Sequence, residues 1–312
     1  MTNLGQRLIA NVQKVILGKP REIELVVAGL LAGGHVLMED VPGVGKTYLA
    51  RALARSLNAH FKRIQFTPDL LPSDITGVGV WRQSTATFEF QPGPVFANII
   101  LADELNRATP RTQSALLEAM QEGQVTVDGV SHRLPSLFFV LATQNPIEQQ
   151  GVYPLPEAQK DRFIMQLALG YPAPPVEAEM LEAQRISHPL DALEPVAGTQ
   201  EVLEARLAVR NVYVDASLRQ YIVALSDGTR RHRDIVLGAS PRASLFLYQA
   251  AQGLAFVRDE TFVSPDVIKE LFVPVMRHRI VLRPETQLSG IPPDRVLHEI
   301  LNQTPVPTKK TK

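Results

Sequence analysis

Residues 39–47, EDVPGVGKT, leave a short apolar run, HVLME (35–39), and open a helical pattern, KTYLARALARSL (46–57). A buried strand, a glycine-bearing loop and a helix in that order read as a phosphate-binding loop. This constrains the chain to an α/β fold more than any other segment does. The pattern is G-x-x-x-x-G-K-[ST], except that Asp40 stands at the first glycine. Gly43 and Gly45 let backbone N–H groups turn toward phosphate oxygens. Lys46 is placed to reach the β- and γ-phosphates of ATP and Thr47 to ligate Mg²⁺, at a helix N-terminus whose dipole favours anions. Pro42, Val44 and Tyr48 complete the candidate nucleotide-binding set. Asp40 falls at the loop's entry. Aspartate tolerates unusual turn conformations, so the loop is expected to survive the exchange.

The same alternation continues downstream. RIQF (63–66), NIILAD (98–103), LFFVLAT (137–143) and FIMQLAL (163–169) are short and bounded by polar or turn residues. Their near-continuous apolarity predicts parallel strands covered on both faces. Between them, Leu49, Leu53 and Leu57 form one helical stripe, and RTQSALLEAMQEG is a helix stopped by Gly123. The 312 residues admit two units. The first is expected to be a doubly wound α/β domain over 1–172. Two hairpins interrupt it, at about 77–96 and about 123–134, the second turning at Asp128-Gly129. The proline cluster of YPAPPVEAEM reads as a linker, 173–200. Helical patterns fill 201–304, two of them opening on the Ser-Pro pairs at 240–241 and 264–265. The tail, 305–312, is expected to be disordered.

Two further polar groups follow predicted strands. NIILAD ends in Asp103, followed by Glu104. The first carboxylate can hold Mg²⁺ and the second can polarise an attacking water. Asn145, after the fourth strand, can orient that water or sense the γ-phosphate, or simply form a turn with Pro146. Composition removes other chemistries. Lys+Arg equals Asp+Glu at 32 each, so no global field draws the chain to nucleic acid or to acidic membranes. Without cysteine there are no disulfides or thiolate zinc sites. The seven histidines never show metal spacing and read as structural or surface groups. The N-terminus lacks a signal-peptide core, and no apolar run approaches the roughly 20 residues of a membrane helix, so a cytoplasmic protein is expected.

EDVPGVGKT, GPVFANIILADELNRATPRTQSALLEAMQEGQVTVDG, LATQNPIEQQGVYPLPEAQKDRF and LGASPRASL, in this order, resemble the MoxR family of AAA+ ATPases. The resemblance runs from about residue 10 to about 290. It implies a five-stranded parallel sheet in the order 5-1-4-3-2 with a C-terminal all-α lid. It makes Lys46 and Thr47 the Walker A pair, Asp103 and Glu104 the Walker B pair, and Asn145 sensor 1. Arg162 becomes the arginine finger that reaches a neighbouring subunit's ATP, unless it only forms a surface ion pair. Arg242 becomes sensor 2, and Ile16, Leu17 and Gly18 lie near adenine. Arg107 and Arg111 are further interface candidates. The family implies a ring, expected as a hexamer, that remodels a partner, typically one with a von Willebrand factor A domain, in maturation or metal-cofactor insertion. The sequence departs from the family at Val152, where threonine is commoner, and at Lys160, where leucine is. A nucleic-acid-stimulated motor is the alternative, but neither a winged helix nor a basic channel is evident. RRHR (230–233) reads as a solvated loop.

Overall fold

Strands β1 (Val36–Glu39), β2 (Phe61–Gln65), β5 (Ile99–Asp103), β8 (Phe139–Gln144) and β9 (Met165–Leu167) form one parallel sheet in the order β2-β5-β8-β1-β9. Counted among themselves in chain order, these strands run 2-3-4-1-5, the expected order read from the other edge. The computed structural model describes residues 3–146, 151–183, 185 and 188–307. The last five residues of the expected tail lie outside them.

Alternation decides which face each side chain supplies. Val36, Met38, Ile99, Leu101, Phe139 and Leu141 enter one apolar cluster, whereas Leu37, Ile100, Ala102, Val140 and Ala142 enter the other. The first cluster contains the stripe of α3 (Lys46–Ser56) and helices α1 (Leu4–Val12) and α2 (Pro20–Leu31). The second is covered by α4 (Pro72–Thr76) and α5 (Pro110–Glu122), the latter ended by Gly123 at φ 63°. Both hairpins form, β3 (Gly77–Arg82) with β4 (Thr87–Pro92) and β6 (Gln124–Val127) with β7 (Val130–Arg133). Asp128 and Gly129 turn the second at φ 51° and 78°, the left-handed pair of a tight hairpin turn. The hairpins meet where Phe90 stacks on His132, ring centroids 3.7 Å apart.

The short helix α6 (Glu157–Lys160) precedes β9, and α7 (Pro174–Ala183) follows it. The expected linker is thus partly helical. Proline blocks a helix's interior but suits its first turn, so Pro174 and Pro175 begin one rather than forbid it. Next come α8 (Thr199–Arg210), α9 (Ala216–Arg231), β10 (Ile235–Leu237), α10 (Pro241–Val257), α11 (Pro265–Met276), β11 (Val281–Leu282), α12 (Pro284–Leu288) and α13 (Pro293–Gln303). The second unit is therefore helical with one small antiparallel pair, β10–β11. Ser240 and Ser264 cap α10 and α11 as expected. Arg230 and Arg231 belong to the last turn of α9, and Arg230 donates to Ala239 O (2.8 Å), so this pair is not part of a solvated loop. The apolar cluster of the α3 face runs on through α10 and α11, so the two units share a core. Arg258 reinforces that junction by pairing with Glu24 (2.8 Å) and Glu270 (2.9 Å). No described helix is long and apolar enough to cross a membrane.

His35, at the start of β1, is buried. Its Nδ1 accepts from Val140 N (3.1 Å) and Nε2 faces Met120 O (3.3 Å). Burial lowers its pKa from 6.5 to about 4, against the raising effect of the Met120 bond, with Arg206 adding to the fall. The unfolded chain binds this proton below pH 6.5 and the folded chain only near 4. Stability is therefore lost as pH falls through that window, by about 3 kcal/mol from this group alone. His278, also buried and also depressed, acts in the same direction. Replacing His35 with glutamine should flatten the fall in melting temperature between pH 6.5 and 4 relative to the parent chain. Parallel pH profiles would contradict the assignment.

Candidate nucleotide site

The carboxyl ends of β1, β5 and β8 converge on one cavity of about 660 Å³. Its floor is residues 42–48, the expected loop. Gly43 and Gly45 sit at φ 85° and 96°, where a Cβ would be strained. Gly45 begins α3 without a side chain to cap it, so the helix presents its first N–H groups to the cavity. Thr47 and Tyr48 line the wall, Tyr48 stacked on His188 at 4.2 Å. Lys46 turns its ammonium onto the loop's own carbonyls, Asp40 O (2.8 Å) and Val41 O (3.2 Å). Burial lowers its pKa, and the charges of Asp40, Asp103 and Glu104 oppose that.

Asp40 does not serve as a turn former, since its backbone is not left-handed. Its buried carboxylate is an acceptor instead. Oδ1 takes Val41 N (2.8 Å), and Oδ2 takes Leu169 N (2.6 Å) and Gly170 N (2.7 Å). A glycine here could not tie the loop to the end of β9.

Asp103 and Glu104 lie at the end of β5, their side chains 13% and 25% exposed. Glu104 occupies the left-handed region at φ 57°, ψ 47°, a strained position for a residue with a side chain. Thr143 Oγ1 holds the turn, accepting from Glu104 N (2.8 Å) and donating to Asp103 Oδ1 (2.7 Å). On β2, Arg63 and Gln65 point to these carboxylates. Arg63 donates twice to Asp103 Oδ2 (3.0 and 2.6 Å), and Gln65 Nε2 donates to Glu104 Oε2 (2.6 Å). Arg107 donates to the same Glu104 oxygen (3.0 Å), so this interface candidate is engaged within its own chain. Arg111 is exposed on α5. Asn145 is buried and lines the cavity. Arg63, Gln65 and Thr143 were not among the expected site residues, although the R-I-Q alternation of β2 puts Arg63 and Gln65 on one face.

Val15, Ile16 and Leu17 line the cavity's apolar side; Gly18 does not. At φ 69°, with Val176 2.7 Å from where a Cβ would sit, Gly18 lets α7 close on the loop. Tyr171, with Glu177, Met180 and His188 from the segment expected as linker, then makes a wall. Residues 147–150 of the motif around Asn145 lie outside the described residues.

Arg162 and Arg242 do not line this cavity. Ile164 N donates to His35 O (2.8 Å), which fixes Arg162 beside the amino ends of β1 and β9. The loop joins the opposite ends of those strands. From Ile164 to Leu169 is five positions, roughly 16 Å of extended chain. Arg242, exposed in the first turn of α10, lies with Arg162: Ser240 Oγ donates to Asp161 Oδ2 (2.9 Å). Lys160 pairs locally with Glu157 (3.7 Å). Among the described residues, His232, Asp234 and Glu299 form one candidate metal group, but Arg233 and Arg295 already pair with its carboxylates.

Thr47 and Asp103 supply hydroxyl and carboxylate oxygens beside the loop, a donor set suited to Mg²⁺. Residues 35–165 match the ATPase family associated with various cellular activities (AAA), and residues 227–300 match the AAA lid domain. The "Uncharacterized protein YeaC" of Bacillus subtilis is 48% identical over 98% of this chain and 95% of its own. The "Chaperone MoxR1" of Mycobacterium tuberculosis is 41% identical over 97% and 82%, and the "Protein MoxR" of Methylorubrum extorquens 29% identical over 96% and 94%. A crystal structure from Cytophaga hutchinsonii, provisionally named an ATPase, superposes with a TM-score of 0.89 at 39% identity, covering 96% of this chain and 94% of that one.

Proposed function

Because the chain belongs to the MoxR family of AAA+ ATPases, we propose that it hydrolyses ATP at sites completed between subunits and uses the cycle to remodel partner proteins. One observation carries this reading. The loop, Asp103, Glu104 and Asn145 share a cavity, while Arg162 sits at the sheet's other end, which supports a role at a neighbouring chain's nucleotide rather than its own.

In this reading the loop N–H groups and Lys46 bind the phosphates, and Ile16 and Leu17 take the base. Mg²⁺, held by Thr47 and Asp103, would supply charge neutralisation on the phosphates. Asp103 is then shared between that cation and Arg63. Glu104 polarises water, while Gln65 and Arg107 both donate to its Oε2 and orient the carboxylate. Asn145 orients the water. Arg162 and Arg242 approach together from the neighbour. Assembly as a hexameric ring and a von Willebrand factor A domain partner are proposed from the family resemblance, and a cytoplasmic setting from the sequence pattern. The chaperone in the name of the Mycobacterium tuberculosis relative supports the remodelling role.

Replacing Lys46 with alanine removes a charge-assisted contact to two phosphates and should weaken ATP binding by roughly 10- to 100-fold or more. Titration with a fluorescent ATP analogue reads this. Unchanged affinity and turnover would remove the nucleotide assignment. For the remodelling role, a Glu104→Gln chain loaded with ATP should retain a von Willebrand factor A domain partner that the Lys46→Ala chain does not. Equal retention by both would count against ATP-driven remodelling.

A further inference from the structure

Arg279 is a cation almost wholly removed from water, with a side chain 1% exposed, at the end of α11 in the helical unit. All five of its N–H groups have acceptors. Nε donates to Asp161 Oδ1 (2.7 Å). One terminal nitrogen donates to Ile164 O (3.4 Å) and to Val275 O, the other to Asp161 O (3.2 Å) and to Phe163 O. Phe246 of α10 stacks under the guanidinium at 5.1 Å. Three of these acceptors are main-chain carbonyls at positions 161, 163 and 164, on either side of Arg162. His278 adds a contact to Phe163 O (3.2 Å). Arg162 itself is half-buried.

The other oxygen of Asp161 accepts from Ser240, the cap of the helix that carries Arg242 two residues on. Arg242 lies near enough to lower the pKa of Arg279 by its charge, an effect smaller than burial and than the Asp161 contacts that oppose it. One carboxylate thus joins the backbone of Arg162 to the start of the Arg242 helix, through a buried arginine whose donors are used up.

We propose that Asp161 and Arg279 are positioning residues: together they clamp the 161–164 turn to the helical unit and so present Arg162, with Arg242 beside it, to the neighbouring subunit's nucleotide. This rests on the reading of Arg162 as acting in trans. The clamp makes presentation of Arg162 follow the position of the helical unit. A guanidinium suits the task because its fork spans a carboxylate and successive carbonyls, which an ammonium cannot.

The test uses Asp161→Asn, with Arg279→Lys as a second variant that keeps a buried positive charge but offers fewer directed donors. Each is assayed alone and mixed with Glu104→Gln chains, which have a dead site but an intact arginine to lend. Arg162→Ala mixed the same way is the reference. The clamp predicts ATP-analogue affinity within about twofold of the parent, turnover lowered at least tenfold, and turnover in mixtures above that of either chain alone. A merely structural defect would damage the variant's own site, and a borrowed arginine could not repair it. Parent-like turnover in both variants overturns the clamp. So does lost turnover that Glu104→Gln does not restore while it restores Arg162→Ala. If Arg162→Ala itself is not restored, the trans reading falls and takes the clamp with it.

Discussion

Arg162→Ala is expected to lower ATP turnover by about 10³-fold or more while leaving ATP affinity within about twofold. The size follows from the task, because an arginine that meets charge developing on the transferred phosphoryl is worth roughly 10³ to 10⁵ in rate. Unchanged affinity follows from geometry. Arg162 lies beside the amino ends of β1 and β9 and, among the described residues, does not line the cavity at the other end. In the proposed reading its loss is felt at a neighbour's nucleotide. A surface ion pair would give a different result, since exposed pairs contribute about 1 kcal/mol at most. Near-normal turnover, or an affinity loss as large as the turnover loss, would remove Arg162 from the mechanism.

Glu104→Gln should lower turnover by roughly 10²- to 10⁴-fold and leave ATP bound. Glutamine keeps the shape and one acceptor oxygen but is no base. The left-handed backbone at φ 57° aims the side chain, and glutamine adopts it at similar cost. The exchange disturbs the contacts from Gln65 and Arg107 to Oε2. Whether or not that pairing restrains the resting site, hydrolysis still needs the carboxylate, so turnover falls in either case. Parent-like turnover would assign water activation to another group.

Most of the sheet is legible in the sequence, because parallel strands covered on both faces must be apolar nearly throughout, as IILAD and FVLAT are. The phosphate loop is legible because its glycines and Lys46 have a backbone reason to be where they are. Asp40 is legible only as a departure. Its three N–H donors come from Val41 and from residues 169 and 170, and no local pattern announces a partner about 130 residues away. The same holds for Arg63. Within RIQF it is only a polar residue at the start of a predicted strand, and the β2–β5 pairing brings it to Asp103. The proline cluster misleads for a different reason. Proline carries opposite meanings at the start and in the middle of a helix, and the residues that follow decide between them. Arg162 is legible as a motif, but its distance from its own cavity depends on which end of β9 it precedes.

The measurement that bears most directly on sites completed between chains is the Mg²⁺-dependent ATPase rate per subunit against protein concentration, with sizing at each point. Sites completed between chains give a specific rate that rises steeply with concentration and then plateaus, in step with assembly. An appreciable, flat rate from protein that sizes as a monomer would contradict that arrangement.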